Sequence, residues 1–288
     1  MKLIEPKVEL WSEENISPES HIAHCARVCY GREYKEPNQE ADKKMVEGLI
    51  KRGHLSMLRH SSVYYRFPYK LYLPERFKSE YVNKVIADNE AVYTSTNRQF
   101  IRERVPIEYD SYTPSEFLKK KCQKESKLFS IFRLTFCITT QDAIAKELNR
   151  KSPNAIAERS TRYCNFKEGI EICKPWWWTA KTGNLSVLDI MCLPTKESIA
   201  AFSWKFAEDG YIGLLDKDMK PEDARDVLPK ALATKVIYTY SVKEWEDILA
   251  LRLYDKTGPA HPDVHIVMQM VKDQINEFAK AHNIDYTV

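Results

Sequence analysis

Residues 132–150 place a strand pattern directly before a helix pattern, and this order constrains the fold more than any other feature of the sequence. The stretch "FRLTFCIT" at 132–139 is rich in aromatic, β-branched and other apolar residues, which favours a strand. The stretch "TQDAIAKELNRK" follows at once and carries a threonine and an aspartate suited to cap a helix. A strand that runs directly into a helix is typical of proteins in which layers of helices pack against layers of strands.

The rest of the chain repeats these two patterns. Strands are predicted at "MKLIEPKVELW", at residues 61–67 and at "ATKVIYTY". Helices are predicted at "SPESHIAHCARVCY", "NQEADKKMVEGLIKRGH", "ESIAAFSWKFAEDGYIGLL", "PEDARDVLPKAL", "SVKEWEDILALRLYD" and, as a long terminal helix, "HPDVHIVMQMVKDQINEFAKAHN". No linker rich in Gly, Pro or Ser divides these elements, so we predict a single α/β domain over residues 1–288.

Composition excludes several classes of protein. A hydrophobic fraction of 43% with only eight glycines is typical of a folded, helix-rich globular protein. No run approaches the length of a membrane span and no signal sequence is evident, so we expect a cytoplasmic protein without a membrane partner. Seven scattered cysteines without a CxxC pair favour reduced thiols and no metal site. A net charge of +3 argues against a nucleic-acid partner.

The seven residues "AERSTRY" at 157–163 concentrate directional polar groups. Arginine offers a rigid fork of donors for phosphate or imide oxygens, and a serine hydroxyl both donates and accepts. Glu158, Ser160 and Arg162, with Arg159 beside them and Arg150 upstream, therefore form a candidate site for an anionic small molecule. The alternative is an exposed helix, expected at residues 153–163, whose Glu158 and Arg162 pair four residues apart.

The stretch "GHLSMLRH" carries His54 and His60 around a serine, just after a predicted helix end. Two histidines in this setting could stack on a ring or move a proton. The alternative is that they serve capping and turn roles, because their spacing lacks the helical register of a zinc-binding pair.

Two arginines lie among apolar residues of predicted helices. Arg225 stands in "DARDVLPKAL" and Arg252 in "DILALRLYD". Each either extends its charged end to water along an apolar surface or meets a buried anion. The residues alone leave both alternatives open.

The order of these motifs resembles the flavin-dependent thymidylate synthases, the ThyX family, along nearly the whole chain. "HIAHCARVCY" is similar to the first-helix pattern of that family, and "GHLSMLRH" to its Gly-His-x-Ser-x-x-x-His turn. "TSTNRQFIRE", "DARDVLP" and "LALRLYD" resemble three further family segments. The resemblance implies the fold of that family, with a central mixed or antiparallel sheet, flanking helices and long C-terminal helices.

The family signature reads Arg-His-Arg, two residues, Ser, one residue, Asn or Gln, Glu, one residue, Ser, one residue, Arg-Tyr. This chain has "RKSPNAIAERSTRY", which keeps the residues that hold the nucleotide in the family. It departs from the signature at Lys151, Ser152, Ala155 and Ala157. Lys151 and Ser152 fall in the Arg-His-Arg triplet of the signature, and in the family this triplet mainly contacts the flavin. The resemblance therefore supports nucleotide binding better than flavin binding.

The resemblance assigns site residues to this sequence. For catalysis it implies Arg252 and Ser160. For dUMP binding it implies Glu147, Arg150, Glu158, Arg159, Ser160, Arg162, Arg225 and Arg252. For cofactor binding it implies His54, Ser56, Arg98 and Arg150.

The resemblance also implies a reaction and an assembly. The reaction converts dUMP to dTMP with methylenetetrahydrofolate as the carbon donor, NADPH as the reductant and FAD as the carrier between them. Family members are homotetramers whose active sites combine several subunits, so Arg150 and Arg252 are expected to serve sites completed by different chains.

Two alternatives keep the predicted fold. One is transfer of a hydroxymethyl group to a pyrimidine nucleotide without reduction, which the replacements Lys151 and Ser152 motivate. In that case Cys164 is a candidate nucleophile, set against the alternative of a buried thiol without a chemical role. The other is a catalytically silent protein that binds nucleotides or supports an assembly.

Overall fold

The computed structural model describes residues 1–32, 36–71, 77–86, 90–104, 110–150 and 155–288. Strands are β1 (Lys2–Ile4), β2 (Lys7–Trp11), β3 (Ser62–Pro68), β4 (Asn83–Ile86), β5 (Ala91–Asn97), β6 (Ser111–Tyr112), β7 (Arg133–Gln141), β8 (Ala155–Glu158), β9 (Glu171–Cys173), β10 (Gly183–Asn184) and β11 (Ala233–Ser241). Helices are α1 (Pro18–Cys29), α2 (Gln39–Lys51), α3 (Arg98–Arg104), α4 (Pro114–Phe117), α5 (Asp142–Leu148), α6 (Val187–Met191), α7 (Thr195–Leu215), α8 (Pro221–Ala224), α9 (Val242–Arg252) and α10 (Pro262–Ala281).

The strands form three sheets. The central sheet has the order β2-β7-β11-β8, and all of its pairs are antiparallel. A second antiparallel sheet has the order β4-β5-β3-β6, and a small mixed sheet has the order β10-β1-β9. Helices and antiparallel sheets in one chain, with the 20-residue α10 near its C-terminus, confirm the predicted fold class.

Side chains of β7 alternate between two buried faces of the central sheet. Leu134, Phe136 and Ile138 pack with α9 and α10 on one face. Cys137 packs with α1 on the other face. Because both faces are covered, every residue of β7 is buried, which explains why its sequence reads as a nearly continuous apolar run.

Local sequence signals set the helix boundaries. Ser17 caps α1 by accepting a hydrogen bond from the backbone of Ser20, and Pro18 occupies the first helical turn. Gly53, at a φ of 75°, follows the end of α2, as expected from the sequence. These features confirm the helices predicted at both positions.

Two local predictions are wrong. Of the helix predicted at "PEDARDVLPKAL", only the four-residue α8 and a 3₁₀ turn, Arg225–Val227, form. The helix expected at residues 153–163 is wrong as well. Residues 155–158 form strand β8, which pairs with β11 and places Glu158 opposite Val236. A turn follows at residues 161–163, so Glu158 and Arg162 do not share a helical face. Pairing with the exposed edge of β11, a contact distant in sequence, outweighs the weak local preference for a helix in this stretch.

None of the helices in the described part of the chain is long and apolar enough to cross a membrane. Over the same residues, no group of three or more His, Cys, Asp or Glu side chains is arranged to hold a metal ion.

A buried polar chain lies between α1 and the central sheet. The His21 Nε2 atom lies 3.2 Å from the Thr135 hydroxyl, which lies 2.7 Å from the Thr239 hydroxyl. His60 Nδ1 completes the chain at 2.9 Å from the same Thr239 oxygen. Burial, together with the nearby charge of Arg133, lowers the pKa of both imidazoles, so both are neutral at pH 7.

We therefore predict that the protein loses stability on mild acidification. Below about pH 6.5 the histidines of the unfolded chain take up protons while His21 and His60 in the folded chain do not, so the free energy of unfolding falls as the pH falls. The urea midpoint should be lower at pH 5.5 than at pH 7.5, and His60→Asn should reduce the difference. Equal midpoints at the two pH values would contradict this account.

Candidate functional site

A cleft of about 270 Å³ opens where β7 ends, β11 begins and β8 ends. These three strand ends meet because Gln141 pairs with Ala233 and Glu158 pairs with Val236. The residues lining this β8 cleft are Asp142, Lys146, Glu158, Arg159, Ser160, Thr161, Phe166, Arg225, Leu232, Ala233 and Thr234. The structure thus brings together Glu158, Arg159, Ser160 and Arg225 from the predicted nucleotide set.

Glu158 is fixed by three neighbours, two from α5 and its C-terminal cap and one from β11. Its carboxylate accepts hydrogen bonds from Asn149 Nδ2 at 3.0 Å and from the Thr234 hydroxyl at 3.5 Å. Lys146 Nζ lies 3.7 Å away. With its oxygens occupied in this way, Glu158 serves to position the wall of the cleft.

Lys146 remains a cation in this setting. Burial opposes its charge, but the hydrogen bond to Asp142 and the charges of Asp142 and Glu158 raise its pKa above the usual value. Its Nζ lies 2.6 Å from Asp142 Oδ1. Sequence reasoning overlooked Lys146, although its spacing of four residues from Asp142 on α5 is a recognisable ion-pair signal.

Two guanidinium groups in the β8 cleft have no carboxylate partner among the described residues. Arg225 donates to the Thr161 hydroxyl at 3.3 Å. Arg159 lies over the ring of Phe166, with its central carbon 5.0 Å from the ring centroid, and its Nε is buried without a hydrogen-bond partner. Unpaired cations beside the hydroxyls of Ser160 and Thr161 give the cleft the character of an anion-binding site.

Arg162 does not line the β8 cleft. Its Nη2 lies 3.3 Å from Glu222 Oε2, and its guanidinium lies over the exposed ring of Tyr163. The backbone N–H of Arg162 donates a hydrogen bond to the Ser160 hydroxyl oxygen at 3.2 Å. Because Ser160 is the acceptor in this bond, its hydroxyl hydrogen remains available to a ligand.

A second, smaller cleft of about 80 Å³ lies between α5 and α9. We call it the α9 cleft; Glu147, Arg150 and Arg252 line it with apolar neighbours. Arg252 Nη2 donates to the Glu147 carbonyl at 3.2 Å, which fixes the end of α9 against α5. Apart from Arg162, which lines neither, the predicted nucleotide set is therefore divided between two clefts within one chain.

The predicted cofactor residues lie on neither cleft, apart from Arg150. His54 and Ser56 are exposed at the start of a 3₁₀ turn, Leu55–His60, that packs against β8. Arg98 begins α3 and pairs with Glu19 at 3.1 Å. Lys151 and Ser152, two of the positions that depart from the signature, lie outside the described residues.

The family model of the thymidylate synthase complementing protein, Thy1, matches residues 83–279, well over half of the chain. The chain belongs to this family. Membership in Thy1 confirms the resemblance drawn from the sequence motifs.

The solved structures that are similar to this Thy1 chain include the following two. One is the UMP/dUMP methylase PolB from Streptomyces cacaoi bound with 5-Br dUMP, at 16% identity and a TM-score of 0.44, covering 97% of this chain and 93% of that one. The other is thymidylate synthase X from Helicobacter pylori with FAD and dUMP, at 16% identity and a TM-score of 0.41, covering 60% of this chain and 81% of that one. No curated protein matches the sequence. At these identities and TM-scores neither structure assigns a ligand to this Thy1 member.

Cys164 directly follows the polar stretch 157–163 in the sequence, and its thiol does not line the β8 cleft. Cys164 is buried, and a methyl group added at Gly31 would lie 2.7 Å from its sulfur. Gly31 also adopts a φ of 62°, a conformation that a residue with a side chain adopts only at a cost. Gly31 therefore allows the end of α1 to approach the turn after β8.

Gly31→Ala is predicted to destabilise the protein by roughly 1–2 kcal/mol or more, from the positive φ alone, plus the contact with the sulfur. Cys164→Ala should restore part of this loss in the double variant, because it removes the sulfur. Urea denaturation of the two single variants and the double variant measures both effects. Strictly additive changes would show that the two residues are not in contact.

Proposed function

We propose that the β8 cleft binds the phosphate of a pyrimidine nucleoside monophosphate, dUMP, and that the enzyme transfers a one-carbon unit to C5 of the base. The observation that carries the proposal is the pair of guanidiniums of Arg159 and Arg225, which lie beside two hydroxyls and have no carboxylate partner in the part of the chain that the structure describes. Such a pair matches a dianionic phosphate in charge and in hydrogen-bond geometry. Family membership supports the choice of dUMP among phosphorylated ligands.

Each residue of the β8 cleft has a separate role in this proposal. Arg225, positioned by Thr161, and Arg159 bind phosphate oxygens. Ser160 donates a hydrogen bond from its hydroxyl to the nucleotide. Glu158, held by Asn149 and Lys146, keeps the wall of the cleft in place. Arg162 joins the nucleotide only by leaving Glu222, which makes it a contact of the bound state.

Activation of the base falls to Arg252 in this proposal. When C5 becomes a nucleophile, negative charge develops on a carbonyl oxygen of the uracil ring, and a guanidinium beside that oxygen stabilises it. The new carbon–carbon bond forms at C5, the C5 proton leaves, and the carbon–nitrogen bond of methylenetetrahydrofolate breaks to release tetrahydrofolate. The hydrogen bond from Arg252 to the Glu147 carbonyl fixes the guanidinium before substrate arrives, so less order is lost on binding.

The division of the site between two clefts supports a shared active site. Phosphate-binding residues line the β8 cleft, whereas Glu147, Arg150 and Arg252 line the α9 cleft. In the proposed homotetramer, the α9 cleft of one subunit lies against the β8 cleft of another, so that one dUMP molecule contacts both.

Part of the predicted set of cofactor-binding residues is accessible to a flavin. His54, Ser56 and Arg150 are exposed, and the turn that carries the first two packs against β8. We propose that these three side chains hold FAD; Arg98 would first have to release Glu19. FAD, when bound, supplies the hydride carried from NADPH that completes a methyl group from the carbon of methylenetetrahydrofolate.

A specific observation favours a second candidate, hydroxymethyl transfer without reduction. By the resemblance to the ThyX family, Ser241 and Asp247 stand where the family usually has asparagines that face the flavin. Ser241 caps α9 through Glu244, and Asp247 pairs with Lys243 at 3.1 Å. Both side chains already have structural partners, which leaves them less available to a flavin.

The reaction class is tested with dUMP that carries tritium at C5. Wild-type protein with methylenetetrahydrofolate should release tritium to water, because either reaction replaces the C5 hydrogen. A requirement for FAD and NADPH with dTMP as the product supports the synthase, and a hydroxymethylated product without a reductant supports the second candidate. Tight dUMP binding without tritium release under any of these conditions would leave only a catalytically silent binding protein.

The phosphate site is tested with Arg225→Ala. This substitution should weaken dUMP binding by about 1.5–3 kcal/mol, the typical worth of a hydrogen bond to a charged group. The matched control is Arg52→Ala, which removes an exposed arginine next to the end of α2. Calorimetric titration with dUMP measures the affinity of both variants. An unchanged affinity in Arg225→Ala would show that Arg225 does not contribute to the site.

The shared site is tested by mixing two inactive variants. If each site takes Arg225 from one subunit and Arg252 from another, random mixing of Arg225→Ala and Arg252→Ala subunits should restore about a quarter of the sites. Activity is measured after dissociation and reassembly, with each variant treated alone as the control. No recovery in a properly reassembled oligomer would place both arginines in a site within one chain.

A further inference from the structure

A cleft of about 520 Å³ lies on the other side of Arg159 from the β8 cleft. It is formed over the first strands of the central sheet and the C-terminal end of α1, and we call it the Trp11 cleft. Its volume falls in the range of sites for small molecules. None of the residues assigned above to dUMP, FAD or catalysis lines it, except Arg159.

One wall of the Trp11 cleft is aromatic. The indole of Trp11 and the imidazole of His24 stack with ring centroids 3.6 Å apart and an angle of 15° between the planes. Burial, with the nearby His21 and Arg27, lowers the pKa of His24 to about 4, so its ring carries no charge at pH 7. The wall therefore offers a flat, uncharged surface to a planar ring.

The cleft also carries excess positive charge. Glu9 and Glu171 line it, but each already has a lysine partner, Lys7 at 2.8 Å and Lys2 at 3.2 Å. The cations that line it differ in this respect, since within the described residues none has a carboxylate partner. They are Arg32, Arg159 and Lys235.

We propose that the Trp11 cleft binds a second ligand, an aromatic anion whose planar ring packs against Trp11 and His24 and whose phosphate or carboxylate lies at Arg159 and Lys235. Arg159 lines the cleft without a carboxylate partner among the described residues, so its positive charge is available to that anion. A ligand with only a ring would leave the cations unpaired, and a simple anion would leave the aromatic wall without a contact.

Arg159 lines both clefts, so the two sites are coupled. One guanidinium divides its donors between the phosphate in the β8 cleft and the anion in the Trp11 cleft. Each ligand therefore changes the affinity of the other by the same factor. The apparent dissociation constant of one ligand therefore stops changing once the other ligand saturates its own site. If both ligands competed for one shared site, that constant would keep rising with the concentration of the competitor.

The test is calorimetric titration of the full chain with two probes. Adenosine 5′-monophosphate carries a ring and a phosphate, and 4-aminobenzoyl-L-glutamate carries a ring and carboxylates. Lys235→Ala is the diagnostic variant, because Lys235 lines the Trp11 cleft and not the β8 cleft. Lys44→Ala, which removes an exposed lysine of α2, is the matched control. Each titration is repeated over a series of dUMP concentrations.

At least one probe should bind, and Lys235→Ala should weaken it roughly tenfold, the loss expected for one charge-assisted hydrogen bond. The control should leave the affinity unchanged, and the effect of dUMP should level off. The probe that binds identifies the anionic group as phosphate or carboxylate. Absence of binding by both probes would overturn the proposal, as would a probe that Lys235→Ala does not affect. A probe that dUMP displaces without limit would also overturn it.

Discussion

The antiparallel pairing of β7 with β11 is the interaction on which the rest of the structure depends. It runs over nine residue pairs, from Ala233 with Gln141 to Ser241 with Arg133. Both strands are almost wholly buried, so their backbone hydrogen bonds form away from water and their side chains organise the core on both faces. The β8 cleft exists because this pairing brings the end of β7 beside the start of β11, where β8 also ends.

The balance between cations and carboxylates among the lining residues determines which ligands are expected at the clefts. Where a carboxylate is available, as for Lys146 with Asp142 or Arg162 with Glu222, a cation pairs within the protein. Arg159 and Arg225 lack that partner among the described residues and line the β8 cleft. A guanidinium left unpaired at a cleft is held there at an electrostatic cost that an anionic ligand relieves.

Periodic, locally capped segments could be predicted from the sequence, and contacts distant in sequence could not. The strand β7 and the helices α1, α2 and α10 follow from apolar periodicity and from residues such as Ser17 and Gly53. The strand β8 was predicted as helix, because only its pairing with β11 makes it a strand. The role of Thr234 in the β8 cleft depends on that same pairing, so no local pattern could reveal it. Lys146 differs, because its spacing of four residues from Asp142 is a local signal.

The central claim is that the β8 cleft recognises the phosphate of a nucleotide, and comparison of dUMP with deoxyuridine tests it most directly. The two ligands share base and sugar, so the difference in their dissociation constants isolates the phosphate. The account predicts that dUMP binds at least about a hundredfold more tightly at moderate ionic strength, since two guanidiniums each contribute a charge-assisted contact. Equal affinities for dUMP and deoxyuridine would contradict it.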